Sequence, residues 1–170
     1  LGAFARLGRE PGFCHDQVIL TPHAGELARL VGLTSAEVRE RSSDLAAELA
    51  ARWNCVLMLK GSPTVIATPD GRVFLNASGD DALARGGSGD VLTGLVGGLL
   101  AQGLGALEAA LLGAYVHGRA GTLAARGRST RSVLVRETAD AIGPVFEAME
   151  KEASADARLR EHLWPVGGDR

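Results

Sequence analysis

The sequence predicts an α/β fold: a mainly parallel sheet flanked by helices on both faces, with its N-terminal part missing. Three observations carry this. The apolar runs are short and unbroken, as at Cys55–Leu59, which is the pattern of strands buried on both faces. These runs alternate with helix-length segments, the order that parallel strands with helical crossovers require. Pro69-Asp70-Gly71 then separates two apolar runs and reads as a hairpin turn, an antiparallel excursion from the parallel scheme. Residues 1–152 read as one partial domain and 153–170 as a poorly ordered charged tail.

Each element has a local reason. Gln17–Leu20 is a strand that stops at Thr21-Pro22, because the residue before proline is held extended. Ala24–Val31 is a short helix. Thr34-Ser35 followed by Glu37 is a capping signal and opens a helix running to about Arg52. Cys55–Leu59, Thr64–Ala67 and Arg72–Leu75 are strands, the last two joined by the Pro-Asp-Gly turn. A loop of small and polar residues spans Asn76–Gly89. Helices follow at Asp90–Ala101, Leu107–Ala125 and Glu137–Lys151. Small residues recur at helical spacing on the first two of these (Gly94, Gly97 and Gly98; Ala110, Ala114 and Gly118; Gly113 and Gly121) and predict close helix packing.

Composition narrows the function. With 46% hydrophobic and 22% charged residues the chain is globular, and with 4% aromatics its core is aliphatic. A net charge of −2 without a basic stripe excludes a nucleic-acid partner. Cys14 and Cys55 match neither zinc nor redox spacing, so a reduced, cytoplasmic protein is expected. The apolar stretch Val91–Val116 holds Gln102, Glu108 and a Gly103-Leu104-Gly105 break, so two helices and no membrane span are expected. The start has no apolar leader and no Met, which reads as a missing upstream segment. Without such a segment, the first strand and the apolar helices would keep unpartnered faces, and the chain alone is expected to oligomerise without catalysing.

Three motifs bear chemistry. Gly86-Gly87-Ser88-Gly89-Asp90 runs directly into an apolar helix, and a glycine-rich loop at a helix N-terminus is an anion site. It is no Walker A loop, dinucleotide fingerprint or nucleophile elbow, so a phosphate held by backbone amides is the anion that fits. Asp90 reads either as the helix N-cap or as a base; a carboxylate beside a phosphate repels it unless it accepts a proton from the hydroxyl under attack. His23, in Thr21-Pro22-His23-Ala24-Gly25-Glu26, lies past the first strand's carboxyl end, where ligands of open α/β sheets bind. It reads as cap or as site residue, and Glu26 as dipole partner or as site residue. Lys60-Gly61-Ser62-Pro63-Thr64 follows another strand end and reads as a tight turn or as a nucleotide contact. Only two of the 18 basic residues are lysines, Lys60 and Lys151, which favours the contact. His15, His117 and His162 read as structural, and Ser88 has no identifiable base.

In this order, strand–TPHAGE, strand–LKGSPTVIATPDG, NASG and LARGGSGDVLTGLVGGLLAQG resemble the ribokinase-like superfamily. More narrowly, they resemble the ADP/ATP-dependent NAD(P)H-hydrate dehydratases, over about Val18 to Ala125. His23 stands where the superfamily's metal-organising Asn would be, and Glu26 keeps the acid of that pattern. The resemblance implies that His23 and Asp90 meet the hydrated nicotinamide substrate, NAD(P)HX, with Asp90 at its hydroxyl. It implies that Lys60, Gly61, Ser62, Pro63, Thr64, Gly86, Gly87, Ser88 and Gly89 bind the adenine nucleotide, and that Glu26 and Asn76 order a Mg²⁺ and phosphate water network. ADP or ATP would be the co-substrate and Mg²⁺ the cofactor. The implied reaction phosphorylates the ring hydroxyl and then eliminates phosphate to restore NADH or NADPH. Ser78 and Asp80 replace an expected Pro and Asn in the nucleotide loop. The resemblance further implies a homo-oligomer and an epimerase domain, fused or separate. Two other readings stay open: a related kinase acting on a thiazole or pyrimidine alcohol, and a nucleotide-binding fragment without turnover.

Overall fold

Four strands, β1 (Ile19–Leu20), β2 (Val56–Leu59), β3 (Thr64–Ala67) and β4 (Val73–Asn76), form one sheet in the order β1-β2-β3-β4. The computed structural model describes residues 15–163, and of 155–163 the backbone alone. Cys14, the side chain of His162 and the last residues, 164–170, therefore lie outside the described part. β1 and β2 are parallel, with Ile19 opposite Val56, because three helices separate them in sequence. The link from β2 to β3 spans only Lys60–Pro63, too short for a crossover, so that pair is antiparallel with Met58 opposite Ile66. The β3–β4 hairpin places Thr64 opposite Asn76. Its turn is closed by Gly71 at φ 85° and by Arg72 Nε donating to Asp70 Oδ2 at 2.8 Å. The sheet is thus mixed: one parallel pair and two antiparallel pairs among the described residues.

Helices cover both faces, as the unbroken strands require. On one side lie α1 (Ala24–Val31), α2 (Ser35–Glu40) and α3 (Ser42–Trp53); on the other lie α4 (Ser88–Ala101) and α5 (Ala106–Ala124). β2 serves both cores by alternation. Leu57 and Leu59 pack with Leu27, Val38, Leu49 and Trp53, whereas Val56 and Met58 pack with Leu92, Val96 and Ala110. Leu57 and Met58 are fully buried, each contributing about 2 kcal/mol by area removed from water. α6 (Val135–Asp140) and α7 (Ile142–Leu163) follow, and Val145 of α7 packs behind α5 against Val116 and Ala120.

Several expectations need correction. The helix expected from Thr34 to Arg52 is two helices meeting at Arg41, where the following Ser42 and Ser43 compete with the helix backbone. The Thr34–Glu37 capping box itself is present, with Glu37 N donating to Thr34 Oγ1 at 3.2 Å. The helix expected over Glu137–Lys151 breaks at Ala141, because Pro144 has no N–H for the Asp140 carbonyl and its ring would collide with it. α7 continues to Leu163, past the helix end expected at Lys151. The glycine pattern also divides. Gly113, Gly118 and Gly121 do face close neighbours, but a β-carbon at Gly94, Gly97 or Gly98 would meet nothing within 4 Å, so no packing accounts for those three.

Candidate active site

The carboxyl ends of the parallel pair β1–β2 open onto the N-terminus of α4. His23 follows β1 and is the N-cap of α1. Its Nδ1 accepts hydrogen bonds from Gly25 N at 3.0 Å and Glu26 N at 3.2 Å, and Glu26 Oε2 accepts from His23 N at 2.8 Å. The cap therefore sets the tautomer: Nδ1 is the acceptor, so the ring proton sits on Nε2. The side chain remains half exposed, with Nε2 3.6 Å from Glu26 Oε2. The structural and the functional reading of His23 are thus compatible, since the cap holds the ring while leaving Nε2 at the site.

Lys60 follows β2, its backbone tied to β1 through Lys60 N donating to Pro22 O at 2.8 Å. Its Nζ lies 3.8 Å from Glu26 Oε2 and beside Gly89, where a β-carbon would come within 3.1 Å. Burial pushes the Glu26 carboxyl up, but the His23 amide and the charges of Lys60, His23 and Arg29 outweigh it, leaving the pKa below the ordinary 4.5.

Gly87 is the N-cap of α4 at φ 89°, a backbone conformation that glycine adopts at little cost. It supplies no side chain, and the Gly86, Gly87 and Gly89 amides have no acceptor among the described residues. Free N–H groups at a helix N-terminus beside a lysine ammonium form a receptor for an anion. α4 begins at Ser88, so Asp90 is an exposed first-turn residue and not the N-cap. The capping alternative for Asp90 is overturned.

Two cavities meet at this point. One, of about 460 Å³, is lined by Lys60, Gly61, Ser62, Pro63, Thr64, Asn76, Ser88, Gly89 and His117. The other, also about 460 Å³, is lined by Thr21, Glu26, Gly86, Gly87, Asp90 and Thr93. His23, Lys60, Arg85 and Gly89 belong to both. The site residues expected from sequence thus converge, with one separation. Asn76 lies on the first cavity and Glu26 on the second, and the Asn76 amide is spent on structure: Nδ2 donates to Ala114 O at 3.2 Å and Oδ1 accepts from Ser78 Oγ at 2.9 Å.

Ser78 and Asp80, the two departures from the expected loop, are both seated. Ser78 packs on Gly118 with its Oγ 3.2 Å from Tyr115 O, an alternative acceptor to Asn76 for its one hydroxyl proton, and Asp80 Oδ1 accepts from Ala82 N at 2.9 Å to cap a short 3₁₀ turn, Asp81–Leu83. Sequence reasoning missed one partnership. Ser88 Oγ lies 3.2 Å from His117 Nε2, with both residues buried. A base does stand beside Ser88, and no spacing signal connects two residues 29 positions apart. Burial pushes the His117 pKa below 6.5; the Ser88 backbone opposes this and the Lys60 charge adds to it.

The described residues hold no group of three or more potential metal ligands, and no described helix is long and apolar enough to cross a membrane. The family model of the NAD(P)H-hydrate dehydratases matches residues 11–144. The chain is 48% identical over 138 residues to a bifunctional NAD(P)H-hydrate repair enzyme of Moorella thermoacetica, covering 81% of this chain and 26% of that protein. It is 40% identical over 133 residues to an ADP-dependent (S)-NAD(P)H-hydrate dehydratase of Bacillus subtilis, covering 78% and 48%. The crystal structure of the Bacillus subtilis ADP/ATP-dependent NAD(P)H-hydrate dehydratase co-crystallised with ATP/Mg²⁺ matches with a TM-score of 0.74, covering 77% of this chain and 47% of that one. A ribokinase-like superfamily protein of Enterococcus faecalis matches with a TM-score of 0.69 at 26% identity, covering 86% and 49%. The chain spans about a quarter to a half of the length of these relatives. Motif order, mixed sheet and family model agree over the same residues, and on that agreement the chain belongs to the ribokinase-like NAD(P)H-hydrate dehydratase family.

Proposed function

We propose that this chain carries the nucleotide site and the base of an ADP- or ATP-dependent dehydratase of hydrated NADH and NADPH. The observation that carries the reading is the wall shared by the two cavities: Lys60, Gly89 and His23 stand between the Lys60–Thr64 loop on one side and Asp90 on the other. A nucleotide in the first cavity would bring its terminal phosphate to the Gly86, Gly87 and Gly89 amides and Lys60. A ring hydroxyl in the second would meet Asp90, whose carboxylate accepts the proton as the oxygen attacks phosphorus. The nucleotide leaves one phosphate shorter; the phosphate ester so formed then loses phosphate from one ring carbon and a proton from the next, and the ring double bond of NADH or NADPH is restored. General-base help of this kind is worth about 10²–10⁴ in rate. The His23 Nε2 proton is placed to donate to the substrate, and Glu26 holds the His23 amide while orienting Lys60.

Mg²⁺ fits the site as a phosphate-held ion. Glu26 has one carboxylate oxygen committed to His23 N, the other has no hydrogen bond among the described residues, and such an ion needs only one or two carboxylates beside phosphate and water. When bound, it would neutralise phosphate charge. Asn76 belongs to the frame of the nucleotide cavity in this reading and not to the ion's water network.

The relatives described as bifunctional support an epimerase domain, fused or separate, as the working partner. Self-association is part of the same proposal, and sedimentation of the native-length protein tests it. A coupled assay of the protein at its native length, with hydrated NADH, Mg²⁺ and ADP or ATP, tests the function. Growth of reduced-nicotinamide absorbance supports it. Phosphorylation of a thiazole alcohol instead would make the protein a kinase, and ADP binding without any product would make it a nucleotide-binding module.

A further inference from the structure

Ser88 and His117 both line the nucleotide cavity, and the bond between their side chains has a role beyond direct contact with a ligand. His117 is 7% exposed in a stretch of α5 whose other buried residues, Val116, Gly118 and Ala120, are apolar or small. A buried imidazole is costly there unless its polar atoms are partnered, and its partner is Ser88 Oγ at 3.2 Å. Ser88, 6% exposed, is the first residue of α4 and the one residue of Gly86-Gly87-Ser88-Gly89 with a side chain that could anchor the loop. The glycines on either side have the widest backbone freedom of any residue, so nothing of their own holds the amides in one direction.

We infer that His117 is a positioning residue: its bond to Ser88 pins the start of α4 to α5 and fixes where the Gly87 and Gly89 amides point relative to Lys60. The inference rests on the reading of this loop as the nucleotide phosphate site. A hydrolytic Ser–His pair does not fit, because Ser88 is buried and no acidic side chain among the described residues is hydrogen-bonded to His117 to orient it. The lowered His117 pKa is consistent with the positioning role, since a neutral ring adds no charge to the positive end of α4.

The test titrates ADP with Mg²⁺ calorimetrically into the wild-type protein and into Ser88→Ala, His117→Phe, the double variant and His117→Gln, with thermal midpoints recorded alongside. Each of Ser88→Ala and His117→Phe is expected to weaken ADP binding roughly three- to ten-fold, the loss of one hydrogen bond. The double variant should bind no worse than the weaker single, because both act through one bond. His117→Gln places an amide near the position of Nε2 and should recover most of the affinity. A lowered midpoint with wild-type ADP affinity in the two single variants overturns the inference, as do additive losses in the double variant. If His117→Phe does not fold, Ser88→Ala decides alone. Failure of ADP to bind the wild-type protein overturns the phosphate-site reading and this inference with it.

Discussion

The Lys60 ammonium lies against Gly89 so closely that a β-carbon there would come within 3.1 Å of Nζ. A cation at the end of β2 and a free amide at the start of α4 thereby face one point, although 29 residues separate them. Gly89→Ala tests this contact. Alanine suits a helix better than glycine by up to about 1 kcal/mol, and the end of a lysine side chain moves cheaply, so the variant should be as stable as the wild type or more so. The displaced Lys60 should weaken ADP binding roughly ten-fold. Calorimetry beside a thermal melt separates the two effects, and unchanged affinity would remove Lys60 from the phosphate site.

Asp90→Asn should abolish turnover by the ~10²–10⁴ expected of a lost base, while ADP still binds. Because Asp90 is not the cap of α4, stability should fall only by the lost charge–dipole term, about 0.3–1 kcal/mol. Single-turnover kinetics of the native-length protein check the first half and urea unfolding the second. Near-normal kcat would end the base assignment.

His23 combines a cap with a substrate contact, and two substitutions separate them. His23→Ala should cost about 1 kcal/mol of stability and weaken the hydrated cofactor more than ADP. His23→Asn, a good cap that lacks the Nε2 proton, should restore stability but not substrate affinity. Equal losses for both ligands in His23→Asn would mean that the ring never touches substrate.

Acidification tests His117. Its pKa is lowered in the folded protein, so the unfolded chain binds the extra proton first. The stabilisation is therefore complete above the ordinary value of 6.5 and is lost as pH falls toward the folded value. Urea midpoints between pH 6.5 and the carboxylate range near 4.5 should fall for the wild type and less so for His117→Gln. Parallel curves for the two proteins would place the titrating group elsewhere.

The residues that line the two cavities could be picked out in the sequence because local chemistry marks them. Only a glycine-rich loop running into a helix supplies free amides, as at Gly86–Gly89, and the two loops at Thr21–Glu26 and Lys60–Thr64 follow strand ends, where α/β sheets bind ligands. Strand positions were legible for the same kind of reason, since an unbroken run such as Val56–Leu59 must be buried on both faces. Pro144 also marked the break before α7, a local signal that the helical periodicity around it outweighed.

Tertiary structure alone decided how those pieces relate. Whether Asn76 joins Glu26 depends on which cavity each faces, and the Ala114 carbonyl that engages Asn76 is 38 residues away. The Ser88–His117 bond, the seat of Ser78 on Gly118 and the Lys60–Gly89 contact are likewise set by how α4 and α5 lie on the sheet. Sequence patterns report periodicity and local capping, which act over a few residues, whereas these contacts arise only when distant segments are brought together to bury one shared core.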